Sequence, residues 1–151
     1  MIVKEIELFQ GIDPTIMEEI VNICSEQNYA KDTVLFKKGD VADCLYILEQ
    51  GTIKLIIENG GSITYSLSDP GEVFGWASML ESGLRTASGV CATDLKAVKI
   101  EKNELDAIFN LHPEVGLMVL KRLAKVISER LSNAYRDLLS ARVHDTTPSY
   151  G

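Results

Sequence analysis

The stretch D-P-G-E-V-F-G-W-A-S-M-L-E-S-G-L-R-T-A, residues 69–87, decides which fold the rest of the chain must fit. It opens on a D-P-G turn signal, continues as a short apolar strand and is then broken by Gly75. Residues 76–81 are predicted to form little more than one helical turn. A second strand is predicted to start at Arg85, so the stretch turns back on itself.

This combination of strand, glycine, helix start and returning arginine suits the binding of an anion. Backbone N–H groups at a helix start point towards the anion, and an arginine closes on it from the other side. Gly75 lets the backbone approach the ligand without an intervening side chain. We therefore predict that Arg85 and the N–H groups near Ala77 and Ser78 hold an anionic group, with Arg85 contributing about 1.5–3 kcal/mol.

Two residues of the stretch have a second interpretation. Arg85 could instead be a surface arginine that pairs with Glu72 or Glu81. Thr86 could offer its hydroxyl to the same anion, or it could be an ordinary strand-forming residue. The sequence alone leaves both alternatives open.

Between residues 33 and 100 the apolar pattern has a period of two, which is typical of strands with one buried face. The tripeptide Asn59-Gly60-Gly61 is a hairpin signal. Short strands at regular spacing, separated by glycine turns, indicate a sandwich or a barrel over about residues 30–100. Besides the strand that ends at Phe74, the predicted strands cover residues 33–36, 44–49, 52–58, 62–67, 85–92 and 95–100.

Helices are predicted on both sides of this β region. The pair Asp13-Pro14 starts a helix that is predicted to run to about Gln27. A short helix capped by Asn103 and a long helix over about residues 113–141 follow the last strand. The polar residues 145–151 are predicted to form a flexible tail.

The long helix carries two apolar stripes, which imply two packing partners. One stripe is predicted to pack on the β region and the other on a second copy of the helix. A single wide stripe against the core of the domain is the alternative. The stripe assigned to the β region is Val115, Val119, Leu123 and Val126. The stripe assigned to the dimer is Leu117, Leu120, Ala124, Ile127, Leu131, Ala134 and Leu138.

Composition and charge exclude several classes of protein. The chain of 151 residues is long enough for one domain with its own core. Its formal net charge of −7 argues against a nucleic-acid-binding surface, because phosphates must be neutralised by Lys and Arg. No apolar run is long enough to cross a bilayer and no secretory signal is visible, so we expect a cytoplasmic location without membrane attachment.

The residue types that most often carry metal or acid–base chemistry are scattered. Cys24, Cys44 and Cys91 have no CxxC spacing, which is typical of reduced cysteines and not of a metal site. His112 and His144 both lie outside the predicted strands. We therefore expect neither a metal nor catalytic activity.

The quoted stretch and several turn glycines resemble the cyclic-nucleotide-binding domain family, which occurs in catabolite-activator-type regulators and in cyclic-nucleotide-gated kinases and channels. The resemblance runs from about Leu8 to about Leu138. The residues that match the family pattern are Phe74, Gly75, Ala77, Leu80, Arg85, Thr86 and Ala87, with Gly39, Gly51 and Gly71 at turn positions.

This resemblance implies a mainly β domain with flanking helices over residues 1–144. It implies an eight-stranded double-stranded β-helix, a β-roll of jelly-roll type, followed by a long C-terminal helix. It also implies homodimerisation through that helix. The ligand-binding residues it implies are Gly75, Trp76, Ala77, Ser78, Arg85 and Thr86.

Trp76 departs from the family pattern, which has a ribose-binding glutamate at this position. An indole cannot accept a hydrogen bond from a ribose hydroxyl, so the loss is expected to lower cyclic-nucleotide affinity about tenfold to a hundredfold. Trp76 either stacks on a different anionic ligand or fills the pocket as core. The polar pair that contacts adenine in the activator subfamily falls on Arg130-Leu131, although Arg130, Ser132 and Asn133 could still offer polar contacts.

Two functions are compatible with these patterns. The first is a stand-alone regulatory module that binds cyclic AMP, cyclic GMP or another small anionic ligand and signals through its dimer helix to an unknown protein partner. The second is a ligand-free dimeric scaffold with a degenerate pocket. Since the sequence stops after the tail, where activator-type transcription factors have a winged helix, direct DNA binding is not expected. No cofactor is expected in either case.

Overall fold

The computed structural model describes residues 1–150, with side chains as far as residue 141. Three α-helices are present in this part of the chain: α1 Pro14–Ile23, α2 Lys102–Leu111 and α3 Pro113–Tyr150. Short 3-10 turns cover Ile2–Glu5, Glu7–Phe9 and Trp76–Met79. The strands are β1 Cys24–Tyr29, β2 Val34–Phe36, β3 Cys44–Gln50, β4 Ile53–Glu58, β5 Ser62–Leu67, β6 Val73–Phe74, β7 Ser88–Cys91 and β8 Leu95–Glu101.

The eight strands form two antiparallel sheets of four strands each. One sheet has the order β1-β8-β3-β6 and the other β2-β7-β4-β5. Apart from β4 and β5, which form a hairpin, the neighbours in each sheet are not consecutive in sequence, because the chain passes between the two sheets as it winds. This arrangement confirms the predicted fold class, which is mainly β with flanking helices and a long C-terminal helix.

Two apolar clusters, one on each face of the first sheet, hold the fold together. The first packs that sheet against the N-terminal 3-10 turns, α1, α2 and the first half of α3, and its members include Val3, Leu8, Phe9, Ile20, Leu45, Ile47, Ile100, Val119 and Leu123. The second fills the space between the sheets, and its members include Phe36, Tyr46, Leu48, Ile53, Leu67, Phe74, Cys91 and Leu95. Alternation along β3 sends Leu45 and Ile47 to one cluster, and Tyr46 and Leu48 to the other.

The first helix is shorter than predicted, and the strand that follows it was missed. The carboxylate of Asp13 accepts a hydrogen bond from the Thr15 N–H at 2.9 Å, as expected for a capping residue. The helix ends at Ile23 and not near Gln27, because the next six residues pair with β8 from Cys24 to Tyr29. Pairing with a strand about seventy residues away outweighs the local helical period here.

Several other predicted bounds also differ from the structure. The strand predicted over residues 85–92 is confined to Ser88–Cys91, because Arg85 is bonded through its own N–H and C=O to the turn at Gly39 and Asp40. The predicted helix over residues 76–81 is a 3-10 turn that ends at Met79. Helix α2 begins after Glu101, so Asn103 is not its cap but already lies within the helix.

The two predicted stripes of α3 face different surroundings in its first half. Val115, Val119 and Leu123 are buried against the first cluster, whereas Leu117 and Leu120 are exposed. Helix α3 extends beyond the predicted residue 141. The flexibility predicted for residues 145–151 lies outside the residues with described side chains and stays a prediction.

All three cysteines are free, as the sequence predicted. Cys44 and Cys91 are buried, and Cys24 donates its S–H to the Ile20 carbonyl. Burial raises the pKa of Cys24 to about 12, so this thiol is a poor nucleophile near neutral pH. Among the helices described, none combines the length and the apolar character that crossing a bilayer requires.

Candidate ligand-binding site

A cavity of about 500 Å³ lies between the second sheet, the quoted 69–87 segment and the second half of α3. The first half of α3 is residues 113–126, and the second half is residues 127–141, as far as side chains are described. Its volume falls within the range of about 300–1,000 Å³ that is usual for small-molecule sites. The side walls are mostly apolar, and the charged groups come from the 69–87 segment and from α3. The lining residues are Phe36, Leu55, Ile57, Ile63, Thr64, Tyr65, Gly75, Trp76, Ala77, Arg85, Thr86, Ala87, Ile127, Arg130, Leu131, Ala134, Asp137 and Leu138.

A side chain at Gly75 would be unfavourable for two reasons, its backbone conformation and the space around it. Its φ of +72° is left-handed, a conformation that costs other residues about 1–2 kcal/mol. A Cβ here would also lie 2.9 Å from Nη1 of Arg85 and 3.1 Å from the ring of Tyr46. The groups that require a glycine at this position belong to the protein itself. The predicted approach of a ligand to the Gly75 backbone stays a prediction.

Arg85 is buried, with 4% of its surface exposed. Its Nη1 donates to the Gly75 carbonyl at 2.7 Å and its Nη2 donates to the Cys44 carbonyl at 2.8 Å. Its guanidinium lies 4.3 Å from the ring centroid of Phe36. Arg85 thus joins the 69–87 segment to β3 and at the same time lines the cavity.

The alternative of a surface arginine is wrong. Arg85 is not exposed, and among the described side chains it forms no ion pair with Glu72, Glu81 or any other carboxylate. Its Nε is buried without a hydrogen-bond partner. An unsatisfied buried donor costs about 1–3 kcal/mol, and more for a charged group, so this position favours an added acceptor.

Trp76 forms part of the cavity wall and does not fill the cavity. Its indole is half-buried and faces the guanidinium of Arg130 from α3, with 4.6 Å between the guanidinium carbon and the ring centroid. This geometry is that of a cation–π pair, which contributes about 0.5–2 kcal/mol. The pair connects the 69–87 segment to the second half of α3.

Arg130 is the second cation of the site. Its Nη2 donates to the Val73 carbonyl, while its Nη1 is buried without a partner. Burial lowers the pKa of Arg130 from its ordinary value, although nearby Glu72 and Tyr65 act in the opposite direction. Among the described residues Arg130 also lacks an ion pair. The cavity thus contains two guanidinium groups without a bonded counter-ion.

Five of the six predicted ligand-binding residues line this cavity: Gly75, Trp76, Ala77, Arg85 and Thr86. Ser78 does not line it, because its side chain turns inward and donates to the Gly75 carbonyl at 3.5 Å. Any role of Ser78 through its backbone N–H stays a prediction. The start of the turn has no side-chain cap, so its first N–H groups lack a partner from the cap.

The residues assigned to the dimer helix divide into two groups. Ile127, Leu131, Ala134 and Leu138 line the cavity, whereas Leu117, Leu120 and Ala124 lie on exposed parts of the first half of α3. The sequence pattern combined both groups into one stripe, because they share the same 3-4 spacing. Spacing cannot tell whether a helix position faces a cavity or a second helix.

The cavity wall contributed by β4 and β5 was not identified from the sequence. These strands pair in register, with Leu55 opposite Tyr65 and Ile57 opposite Ile63. The alternation of each strand indicated a shared face, but nothing in it indicated that this face meets α3. The structure shows this wall by incomplete burial, since Ile57 and Ile63 are 45% and 58% exposed in spite of their apolar side chains.

The fold and the cavity together define a β-roll domain with a cavity between its second sheet and a long helix, lined by two arginines. The family model "Cyclic nucleotide-binding domain" matches residues 26–112, which is more than half of the chain. The chain belongs to the cyclic nucleotide-binding domain family. Within the described residues, no group of His, Cys, Asp and Glu is arranged to hold a metal ion.

The chain is similar to bacterial cyclic-AMP regulators. It is 25% identical over 134 residues to the CRP-like cAMP-activated global transcriptional regulator of Mycobacterium tuberculosis, covering 87% of this chain and 59% of that protein. It is 28% identical over 133 residues to the cyclic AMP receptor protein of Thermus thermophilus, covering 87% and 60%. The chain thus spans about three fifths of the length of these relatives.

A solved structure of similar fold is a cyclic nucleotide-binding domain from Methylobacillus flagellatus. The two structures superpose with a TM-score of 0.77 at 24% identity, covering 91% of this chain and 79% of the other. At this level of identity the likeness establishes the fold alone.

Proposed function

We propose that this chain is a regulatory module that binds a cyclic nucleotide or a related anionic ligand in the cavity beneath α3. Binding changes the position of the second half of α3 and thereby a dimer or partner equilibrium. The observation that carries the proposal is a pair of guanidinium groups, the buried one of Arg85 and the half-buried one of Arg130, which line one cavity and have no ion-pair partner among the described side chains. The names of the relatives, which include cAMP-activated regulators, support a cyclic nucleotide as the ligand.

The phosphate is placed at Arg85 and the adjoining turn. Arg85 has five N–H groups, of which two serve the carbonyls of Gly75 and Cys44. Nη2 also contacts the Cys44 sulfur at 3.6 Å, whereas Nε has no partner among the described residues. Arg85, the turn residues Trp76 and Ala77, and the exposed Thr86 all line the same cavity. These groups form a mixed charged and neutral donor set of the kind that holds phosphate oxygens.

Calorimetric titration with cyclic AMP, cyclic GMP and cyclic di-GMP tests ligand binding. We expect Arg85→Gln to weaken binding about tenfold to a hundredfold, the equivalent of one charge-assisted hydrogen bond. The matched control is Arg136→Gln, which changes an exposed arginine of α3 outside the cavity lining.

Because Arg85 also supports the fold, circular dichroism must show that Arg85→Gln remains folded. If it unfolds, Thr86→Val removes an exposed cavity hydroxyl and is expected to weaken binding severalfold. Absence of binding by every nucleotide at millimolar concentration would contradict the proposal.

We further propose that the exposed first half of α3 pairs with a second copy of the chain. Leu117 and Leu120 are 56% and 44% exposed and lie opposite the face that packs on the core. Light scattering after size exclusion should give the mass of a dimer for the unmodified chain and of a monomer for Leu120→Glu. Leu111→Glu introduces the same change at an exposed leucine of α2, outside α3, and the dimer should survive it.

A ligand-free scaffold is the second candidate, and one observation favours it. The terminal nitrogens of Arg85 already donate to two carbonyls of the protein, so the arginine has a structural role without any ligand. Under this alternative, Arg85→Gln would lower the free energy of unfolding while no nucleotide stabilised either protein. Thermal-shift measurements on both proteins, with and without cyclic AMP, distinguish the two candidates.

A further inference from the structure

The two arginines reach the cavity from different elements and on different sides of one turn. Arg85 bonds the carbonyl of Gly75, whereas Arg130, from α3, stacks on the next residue, Trp76. Each guanidinium has one buried nitrogen without a partner: Nε of Arg85 and Nη1 of Arg130. A single phosphate held at Arg85 would leave the donor of Arg130 unsatisfied, unless the ligand carries a second acceptor.

Apart from the hydroxyls of Thr64, Tyr65 and Thr86, the other lining side chains offer few hydrogen-bond acceptors. Asp137 is the one carboxylate among the described lining residues, and it lies on the exposed end of α3. Glu72 lies outside the lining but is close enough to act on the charge of Arg130. Trp76 offers a donor and a π face but no acceptor. The lining therefore supplies two cations and one exposed anion, and a ligand with two anionic groups complements it better than a ligand with one.

We propose that the cavity takes a nucleotide with two separate phosphoryl groups, one at Arg85 and one at Arg130, in preference to a nucleotide with a single phosphate. This inference rests on the proposed function, since both arginines line the cavity assigned to the ligand. Trp76 acts as the specificity-determining residue, because its ring holds Arg130 over the cavity when the ligand is absent. The cavity of about 500 Å³ leaves room for more than one phosphoryl group.

The test compares cyclic AMP, which has one phosphate, with two probes that have two: cyclic di-AMP and adenosine 3′,5′-bisphosphate. We expect both two-phosphate probes to bind at least about tenfold more tightly than cyclic AMP at the same ionic strength. Tight binding of cyclic di-AMP alone would identify a cyclic dinucleotide. Tight binding of the bisphosphate alone would identify a linear one.

Arg130→Gln is the decisive variant. It should weaken the two-phosphate probes about tenfold and change the affinity for cyclic AMP less than about twofold. Arg136→Gln, on the same helix but outside the lining, should change neither. If Arg130→Gln does not fold, Arg130→Lys keeps the charge without the planar fork and should weaken the same two probes, by a smaller factor.

Trp76 is the only tryptophan of the chain and reports on the site directly. A phosphoryl group that draws Arg130 away from the indole should change the fluorescence of Trp76, whereas cyclic AMP should change it less. The response to the two-phosphate probes should disappear in Arg130→Gln.

The binding results show separately whether the inference, the assignment of the second subsite or the proposed function is wrong. If cyclic AMP binds as tightly as the two-phosphate probes, or if Arg130→Gln weakens all ligands equally, the inference is wrong and the proposed function stands. If two-phosphate probes bind more tightly but independently of Arg130, the assignment of the second subsite is wrong. If no nucleotide binds, the proposed function fails and the inference fails with it.

Discussion

The two halves of α3 belong to the same helix but have different environments. In the first half Val119 and Leu123 are 0% and 2% exposed, because they complete the core beneath the first sheet. In the second half Leu131 and Leu138 are 49% and 56% exposed, although both line the cavity. The first half of α3 is therefore firmly packed, whereas the described part of its second half is held by few buried contacts.

This difference shows where the fold can respond to a ligand without unfolding. Moving the first half would expose buried apolar surface, which costs about 25 cal/mol for each Å². Moving the second half breaks the contacts that Arg130 makes with Trp76 and with the Val73 carbonyl and, at its start, the packing of the half-buried Ile127 on the first cluster. Regions held by few buried contacts are the ones that open most readily.

The largest expected effect separates the two halves by stability. Leu123→Ala should lower the free energy of unfolding by about 2–5 kcal/mol, because it leaves a cavity in a close-packed core. Leu131→Ala removes the same atoms from a half-exposed position and should cost about 0.5 kcal/mol. Urea-induced unfolding of both variants measures the difference. Equal losses would mean that the second half of α3 is as firmly packed as the first.

A smaller effect is expected at the turn that the second half of α3 covers. Gly75→Ala should lower the free energy of unfolding by about 1–3 kcal/mol, since it adds left-handed strain to a contact with Arg85. Gly60 is a matched control: its φ is +70°, and a Cβ there would meet nothing within 4 Å. Gly60→Ala therefore measures the strain alone. A loss no greater for Gly75→Ala than for Gly60→Ala would show that Arg85 moves aside freely.

Local signals were sufficient to predict most of the fold. Glycine turns and two-residue alternation identified seven of the eight strands, because turn residues and alternation are local signals that do not depend on which strands pair. The missed strand, Cys24–Tyr29, follows a helix directly and pairs with β8 far along the chain. No local pattern encodes such a partner, so its residues were assigned to the preceding helix.

Only the side of the candidate site that residues 69–87 form was predictable from the sequence. The 69–87 segment is contiguous, so a turn at Gly75 and an arginine that returns to it at Arg85 were both predicted from neighbouring residues, although the direct contact between them was not. The opposite wall depends on how α3 rotates over the sheet, which places Arg130 against Trp76. Sequence spacing marked Leu131 and Leu138 as apolar positions. It did not separate a cavity wall from a dimer contact, because both need the same periodicity.

The smallest expected effect concerns the one side-chain contact that connects Trp76 to α3. A double-mutant cycle with Trp76→Leu and Arg130→Gln should give a coupling free energy of about 0.5–2 kcal/mol, measured by urea-induced unfolding. The same cycle with Trp76→Leu and Arg136→Gln should give a coupling below about 0.5 kcal/mol, because Arg136 is an exposed arginine outside the cavity lining.

A coupling for Arg130 no larger than for Arg136 would mean that the cation–π contact does not hold the second half of α3. The apolar residues Ile127, Leu131, Ala134 and Leu138 would then be the α3 residues left to form the cavity wall. A coupling in the expected range that disappears with a saturating nucleotide would show instead that the ligand takes Arg130 from the indole. In that case, ligand binding breaks the contact between Arg130 and Trp76. The second half of α3, which few buried contacts hold, is then the part of the helix that moves when the ligand binds.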